Sequence, residues 1–275
     1  MTKLWWCALL SYKSFQISAF CLIITFSLSF NCLAEYNLAT RKEENLFFST
    51  ASEVKLGRSL ARKVEQRFEF SQDPRLQERV DKIGQKLILV CERKDITYSF
   101  TVLEDEKVNA FALPGGYIYV NTALVKKADS DDEIAAVLAH EMGHIVARHS
   151  IKRLQAALGY SLISILTLVA TKDARFKRGT DLAFSQIMLG YSREDELLAD
   201  QLSVKYLEKS GYNPEAVISF LNKLKQIEKE APLKPLVAGY ARTHPYLPQR
   251  IAAVKEQVYG KMDFNDYINR SNTDR

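Results

Sequence analysis

His140, Glu141 and His144 stand in the order His-Glu-Met-Gly-His, the pattern HExxH. Histidines four apart on a helix share one face a turn apart, so both imidazoles can reach a single ion. Glu141, one position on, falls beside such an ion rather than on it, where its carboxylate can take a proton from a water. Zinc suits the arrangement because it acidifies water and polarises a carbonyl. The chemistry implied is metal-assisted hydrolysis.

A zinc site of this kind needs a third protein ligand. Ser150 occupies the place of the third histidine in the longer HExxHxxGxxH pattern. Glu196 is the better candidate, with Asp200 four residues later on the same helical face. One carboxylate can bind the ion while the other orients a ligand histidine through its second ring nitrogen. Glu194 and Asp195 compete for the role, but first-turn acids are expected for dipole reasons alone. His149, nine residues after His140 and five after His144, falls off the ligand face and reads as structural. His244, in Thr243-His244-Pro245 and followed by Arg250, is the only histidine outside the cluster. Near a zinc ion it could steady an oxyanion or cap the metal at rest.

The elements that must position these groups are mainly helical. Apolar spacing suggests a helix over 50–68. Asp73-Pro74 caps a second, running to about Val90. Thr97–Leu103, Asn109–Ala112 and Tyr117–Val120 read as short strands, with a Pro114-Gly115-Gly116 turn before the third. Ser130 and Glu133 form a capping box that opens the HExxH helix, expected to reach His149. Ser192 and Asp195 open the helix carrying Glu196 and Asp200. Further helices are expected from Asn213-Pro214 to about Glu230 and from about Pro248 to Tyr259. Residues 35–49 read as a loose lead-in and 171–181 as a loop. The uncharged stretch 156–170 reads as a core helix or as an apolar segment touching a membrane or covering the site. It is too short to span a bilayer comfortably.

Lys3 and Lys13 precede and flank an apolar run from Ile17 to Phe30, and the first acid is Glu35. That is the layout of a secretory signal, with cleavage after Ala34 and the domain over 35–275. A retained anchor and lipidation at Cys32 are the alternatives. Cleavage leaves Cys91 as a lone thiol with no partner for a disulfide, expected half-buried at a helix end. The net charge of +5 falls to +3 without residues 1–34, too weak to argue for nucleic acid, and none is expected as a partner. A composition 47% hydrophobic and 26% charged excludes a disordered or multi-span membrane chain.

Taken in order, five segments resemble the M48 family of zinc metallopeptidases, in its bacterial envelope branch related to the mitochondrial Oma1 peptidase. They are Asn109–Gly116, His140–His144 with Arg148-His149 behind, Tyr191–Asp200, Gly211-Tyr212-Asn213-Pro214, and Thr243-His244-Pro245 with Arg250. The resemblance covers roughly residues 100 to 255. It implies an α+β fold, a mainly helical gluzincin-type metallopeptidase with a small β-sheet whose edge strand faces the active site. It implies one zinc ion on His140, His144 and Glu196, with Glu141 as base. Asp200 would hold a ligand histidine, and Arg250 would hold local structure and could pair with Asp200 or another acid. His244 would stabilise the intermediate or take the water position in a latent state. Asn109 and Phe111 would lie on the edge strand that accepts the substrate backbone.

The implied function is endopeptidase action on misfolded or misassembled proteins in the periplasm or cell envelope of a Gram-negative bacterium, with a possible peripheral membrane contact through 156–170. The alternative is a proteolytically silent or latent zinc-containing, chaperone-like binder of unfolded envelope proteins; a third reading is a membrane-anchored scaffold touching the bilayer through 156–170. The sequence carries no internal repeat, so the repeat-borne partnership of some envelope relatives is not expected.

Overall fold

The computed structural model describes residues 34–46, 48–157, 181, 183–230, 240 and 243–261. The apolar run 17–30, most of the uncharged stretch 156–170 and nearly all of the loop expected over 171–181 lie outside these residues. Among the described residues no helix is long and apolar enough to cross a membrane.

The described residues open on a hairpin, β1 (Ala34–Asn37) antiparallel to β2 (Lys42–Asn45). This corrects the loose lead-in read from the sequence. The segment lacks an apolar alternation because polar contacts hold it. Asn37 donates to the carbonyl of Ala147 at 3.1 Å, and Lys152 pairs with Glu44 at 2.8 Å. Two helices follow, α1 (Thr50–Arg67) and α2 (Pro74–Val90). Asp73 caps α2 by accepting from the amide of Arg75, and Pro74 begins it, as the sequence signals indicate. Cys91 ends α2 and is buried more fully than expected.

Three strands form the small sheet, β3 (Ser99–Leu103), β4 (Ala110–Leu113) and β5 (Tyr117–Asn121). Their order is β3-β5-β4, with β3 parallel and β4 antiparallel to β5, so among the described residues β4 is an edge. Gly115 and Gly116, with φ of 79° and 100°, make the reversal between β4 and β5. A side chain is disfavoured at such angles. A Cβ on Gly116 would also stand 2.1 Å from the carbonyl oxygen of Thr97.

Helix α3 (Thr122–Lys127), which the sequence reading missed, leads into α4 (Asp131–Val146), the HExxH helix. From Glu133 to Val146 every residue of α4 is buried, as befits a central helix packed on all sides. Ser130 caps it through the amide of Glu133, but the Glu133 carboxylate turns to the Asp129 amide and to Ser219 and Lys223. Only half of the expected capping box therefore forms. Helix α4 also stops before His149. The chain breaks at Ala147 and Arg148, where Arg148 has φ 56°, and α5 (His149–Ala157) sets off anew.

Helix α6 (Arg193–Ser210) makes the largest helix–helix contact with α4, and α7 (Glu215–Glu230) and α8 (Leu247–Tyr259) close over the pair. Ser192 and Asp195 form the full capping box. Gly143 permits the close crossing. A Cβ there would lie 3.0 Å from the Cα of Ala199 and 3.1 Å from its carbonyl oxygen. Gly143→Val is expected to push α6 off α4, lower stability by about 1–3 kcal/mol and weaken metal retention. A urea melt with metal content measured on the same sample checks this; an unchanged midpoint would remove the packing argument.

Candidate metal centre

Four buried side chains converge from three places in the chain. His140 and His144 come from consecutive turns of α4, Glu196 from the first turn of α6, and His244 from the segment before α8. One ligand atom of each lies within 4.8 Å of every other. His140 Nε2 is 3.0 Å from His144 Nε2 and 3.5 Å from Glu196 Oε2, and His144 Nε2 is 3.6 Å from Glu196 Oε1. A tetrahedral ion with bonds near 2.0–2.1 Å holds its ligand atoms roughly 3.3–3.4 Å apart, so this spacing fits zinc. Imidazole and carboxylate are also donors that zinc accepts. His244 Nδ1 fills a fourth corner, 3.3 Å from His140 Nε2 and 3.1 Å from Glu196 Oε1.

Glu141 is fully buried beside this set. Its Oε1 lies 3.4 Å from His244 Nε2 and accepts from the hydroxyl of Tyr240 at 3.4 Å, while Oε2 has no hydrogen-bond partner among the described residues. A buried carboxylate oxygen without a partner is costly unless a water or ion completes it. That orphan atom is a second sign that the site is built to receive something.

Behind the four donors stands a charged layer. Asp200 Oδ1 is 2.8 Å from His140 Nδ1, and Arg250 grips the same carboxylate with two bonds of 2.7 Å. Arg250 Nη1 also lies 2.7 Å from Glu196 Oε2 and donates to the carbonyl of His244 at 3.2 Å. One guanidinium thus ties together the carboxylate behind His140, the proposed third ligand and the His244 backbone. Burial opposes charge throughout. It is overridden at Glu196, held well below the usual carboxylate range by Arg250, His244 and His140, and at Asp200, lowered by Arg250 and His140. Burial and Arg250 work against a proton on His140, yet Asp200 and Glu196 raise its pKa to about 9. Burial and the neighbouring His140 push His144 well down.

Two aromatic rings, which the sequence reading left without roles, fix the imidazoles. Tyr191 stacks on His144 with centroids 3.8 Å apart, and Tyr240 stacks on His244 at 4.2 Å. The Tyr191 amide also donates to the carbonyl of Thr243 at 3.1 Å, which joins the start of α6 to the His244 segment. His149, read as structural, lies with its Nδ1 2.8 Å from His144 Nδ1.

Phe111 lies on β4 and Asn109 just before it. The Asn121 amide donates to the carbonyl of Asn109, so by antiparallel alternation the peptide groups of Asn109 and Phe111 face β5. Those of Ala110 and Ala112 face the open edge. Val108, next along that edge, already accepts from the Tyr240 amide at 3.2 Å. The Phe111 ring stacks on Tyr119 at 5.1 Å.

A mainly helical frame, a small sheet beside it and a buried cluster of His140, His144, Glu196 and His244 give the chain the architecture of a metallopeptidase class. The chain belongs to peptidase family M48, whose model matches residues 74–258. It is 26% identical over 219 residues to the beta-barrel assembly-enhancing protease of Escherichia coli K12, covering 76% of this chain and 44% of that protein. It is 29% identical over 177 residues to the mitochondrial metalloendopeptidase OMA1 of Schizosaccharomyces pombe, covering 64% of this chain and 51% of that one. With OMA1 of Arabidopsis thaliana the identity is 32% over 157 residues, 54% of this chain and 29% of the relative. The chain spans about half or less of the length of these relatives.

Proposed function

We propose that this chain is a zinc-dependent endopeptidase that hydrolyses misfolded or misassembled cell-envelope proteins. The observation that carries the reading is the convergence of His140, His144 and Glu196 with an unpartnered oxygen of Glu141 beside them. Zinc held by these three side chains would supply a Lewis acid for the scissile carbonyl and for a water. Glu141 takes the proton of that water and delivers it to the leaving amine. Asp200, itself fixed by Arg250, keeps the His140 proton on Nδ1 so that Nε2 presents its lone pair. An extended segment adds to the open edge of β4 through the peptide groups of Ala110 and Ala112. Such pairing selects unfolded stretches and reads little of their sequence. The name of the Escherichia coli relative and the signal-like residues 1–34 support the periplasm or envelope as the place of action.

His244 favours a latent resting state. Its Nδ1 sits at the fourth corner, and its Nε2 stands 3.4 Å from Glu141, so it fills the space a water needs. Displacement of His244 would then precede cleavage, and the competent fraction scales the observed rate.

The test is cleavage of casein by the chain, with zinc content measured on the same sample. Cleavage that stops on chelation and returns with zinc supports the reading. His244→Ala is expected to cleave several-fold faster than the parent if His244 blocks the site. Equal rates would end the latency idea, and zinc-loaded protein that stays silent in both forms would favour the binder of unfolded proteins.

A further inference from the structure

The metal helix and the Glu196 helix are joined a second time, through a residue that is not a donor to the ion. His144 Nδ1 and His149 Nδ1 stand 2.8 Å apart, and His149 Nε2 stands 3.2 Å from Asp195 Oδ1. Two ring nitrogens at that distance need one proton between them. His144 must keep its Nε2 lone pair for the ion, so its proton is on Nδ1. His149 then accepts at Nδ1, carries its own proton on Nε2 and donates it to Asp195.

We propose that His149 is a positioning residue for the metal site, which fixes the tautomer and ring plane of His144 and anchors both to Asp195. This rests on the reading of His140, His144 and Glu196 as zinc ligands. The two ligand histidines are then supported differently. His140 meets its carboxylate directly, whereas His144 meets one through an intervening imidazole.

The local chain is built for this contact. On an uninterrupted helix, position 149 would point about 140° away from His144. The break at Ala147 and Arg148, with Arg148 in the left-handed region, turns α5 so that the His149 ring comes back onto His144, 5.0 Å between centroids at 70°. Asp195 serves two ends. Its Oδ2 accepts from the Ser192 amide as part of the cap, and its Oδ1 faces His149. The same first turn of α6 therefore delivers Glu196 to the ion and Asp195 to the support of His144. His149 is buried to 2% exposure, so its ring is held among these partners rather than free to turn into solvent.

The experiment is zinc affinity of the full chain, by competition with a chromogenic chelator, for the parent, His149→Phe and His149→Asn, with a thermal melt of each. Asparagine can offer its amide oxygen where Nδ1 stood; phenylalanine keeps the bulk and offers nothing. We expect His149→Phe to weaken zinc binding about 10- to 100-fold, the range for lost support behind a ligand, while His149→Asn stays within about threefold. A His149→Phe protein that melts like the parent and binds zinc equally well would overturn the proposal. So would His149→Asn falling as far as His149→Phe. A parent that takes up no zinc would instead overturn the metal-site reading itself, and this proposal with it.

Discussion

Glu141→Gln is expected to abolish cleavage while leaving the metal in place. The substitution is nearly isosteric, and Gln can still accept from the Tyr240 hydroxyl as Glu141 Oε1 does. What it removes is a group able to take and return a proton. Loss of such a group typically lowers turnover by about 10²–10⁴-fold. Glu141 is not among the four convergent donors, so zinc per chain should stay at the parent's value. Turnover of an unfolded protein and metal content, measured together, check both halves. If Glu141→Gln loses its zinc, Glu141 is a ligand and the site has been misread. If turnover persists, the base lies elsewhere. If neither protein cleaves and both hold clients equally, the chaperone-like reading takes over.

The second large effect is expected far from the ion. Glu53, on α1, is buried between two arginines. Arg93 binds it with two bonds of 2.9 Å, and Arg148 Nε lies 2.8 Å from the same carboxylate. The Gly115 amide adds a bond of 3.2 Å. The arginines reach onward, Arg93 to the carbonyl of Ile145 at the end of α4 and Arg148 to that of Phe48. Glu53→Ala removes the buried carboxylate that two interior guanidiniums share, and Arg93 keeps only the half-exposed Asp95 at 3.3 Å. Breaking a buried pair in this way costs about 3–5 kcal/mol, a large part of the total stability of an ordinary domain. The urea midpoint should fall accordingly. Replacing Glu53, Arg93 and Arg148 together by apolar residues should cost far less, because no charge is then stranded. A Glu53→Ala loss below about 1 kcal/mol would show that water or a neighbour reaches the arginines. Because Arg148 carries the break that aims His149, Glu53→Ala should also weaken zinc binding.

The chemistry on offer can be read from residue types and their spacing. HExxH places two imidazoles and a carboxylate on adjacent positions of one helix, and that relation is local, set by 3.6 residues per turn. The caps at Asp73 and Ser192 and the glycine turn at 115–116 are local too, and the structure bears them out. So were the three strands of the sheet, each within two residues of its expected ends. The β1–β2 hairpin was not legible, because polar cross-links rather than apolar periodicity hold it. Nor was α3, a helix of 6 residues, too short to carry a periodic signal.

What meets across the chain depends on how the elements dock. Glu196 and Asp200 lie more than fifty residues after His144, and whether they face it depends on the crossing that Gly143 permits. The double grip of Arg250 on Asp200 and its reach to Glu196 follow from the docking of α8. The roles of Tyr191 and Tyr240 appear only once their rings are stacked on His144 and His244. His149 gives the sharpest case. Helical arithmetic turns it away from the ion, and a single left-handed residue, held by a buried carboxylate nearly a hundred positions earlier, turns it back. Spacing rules hold only while the helix continues. Where it breaks, and in which direction the chain resumes, is set by contacts between residues far apart in sequence.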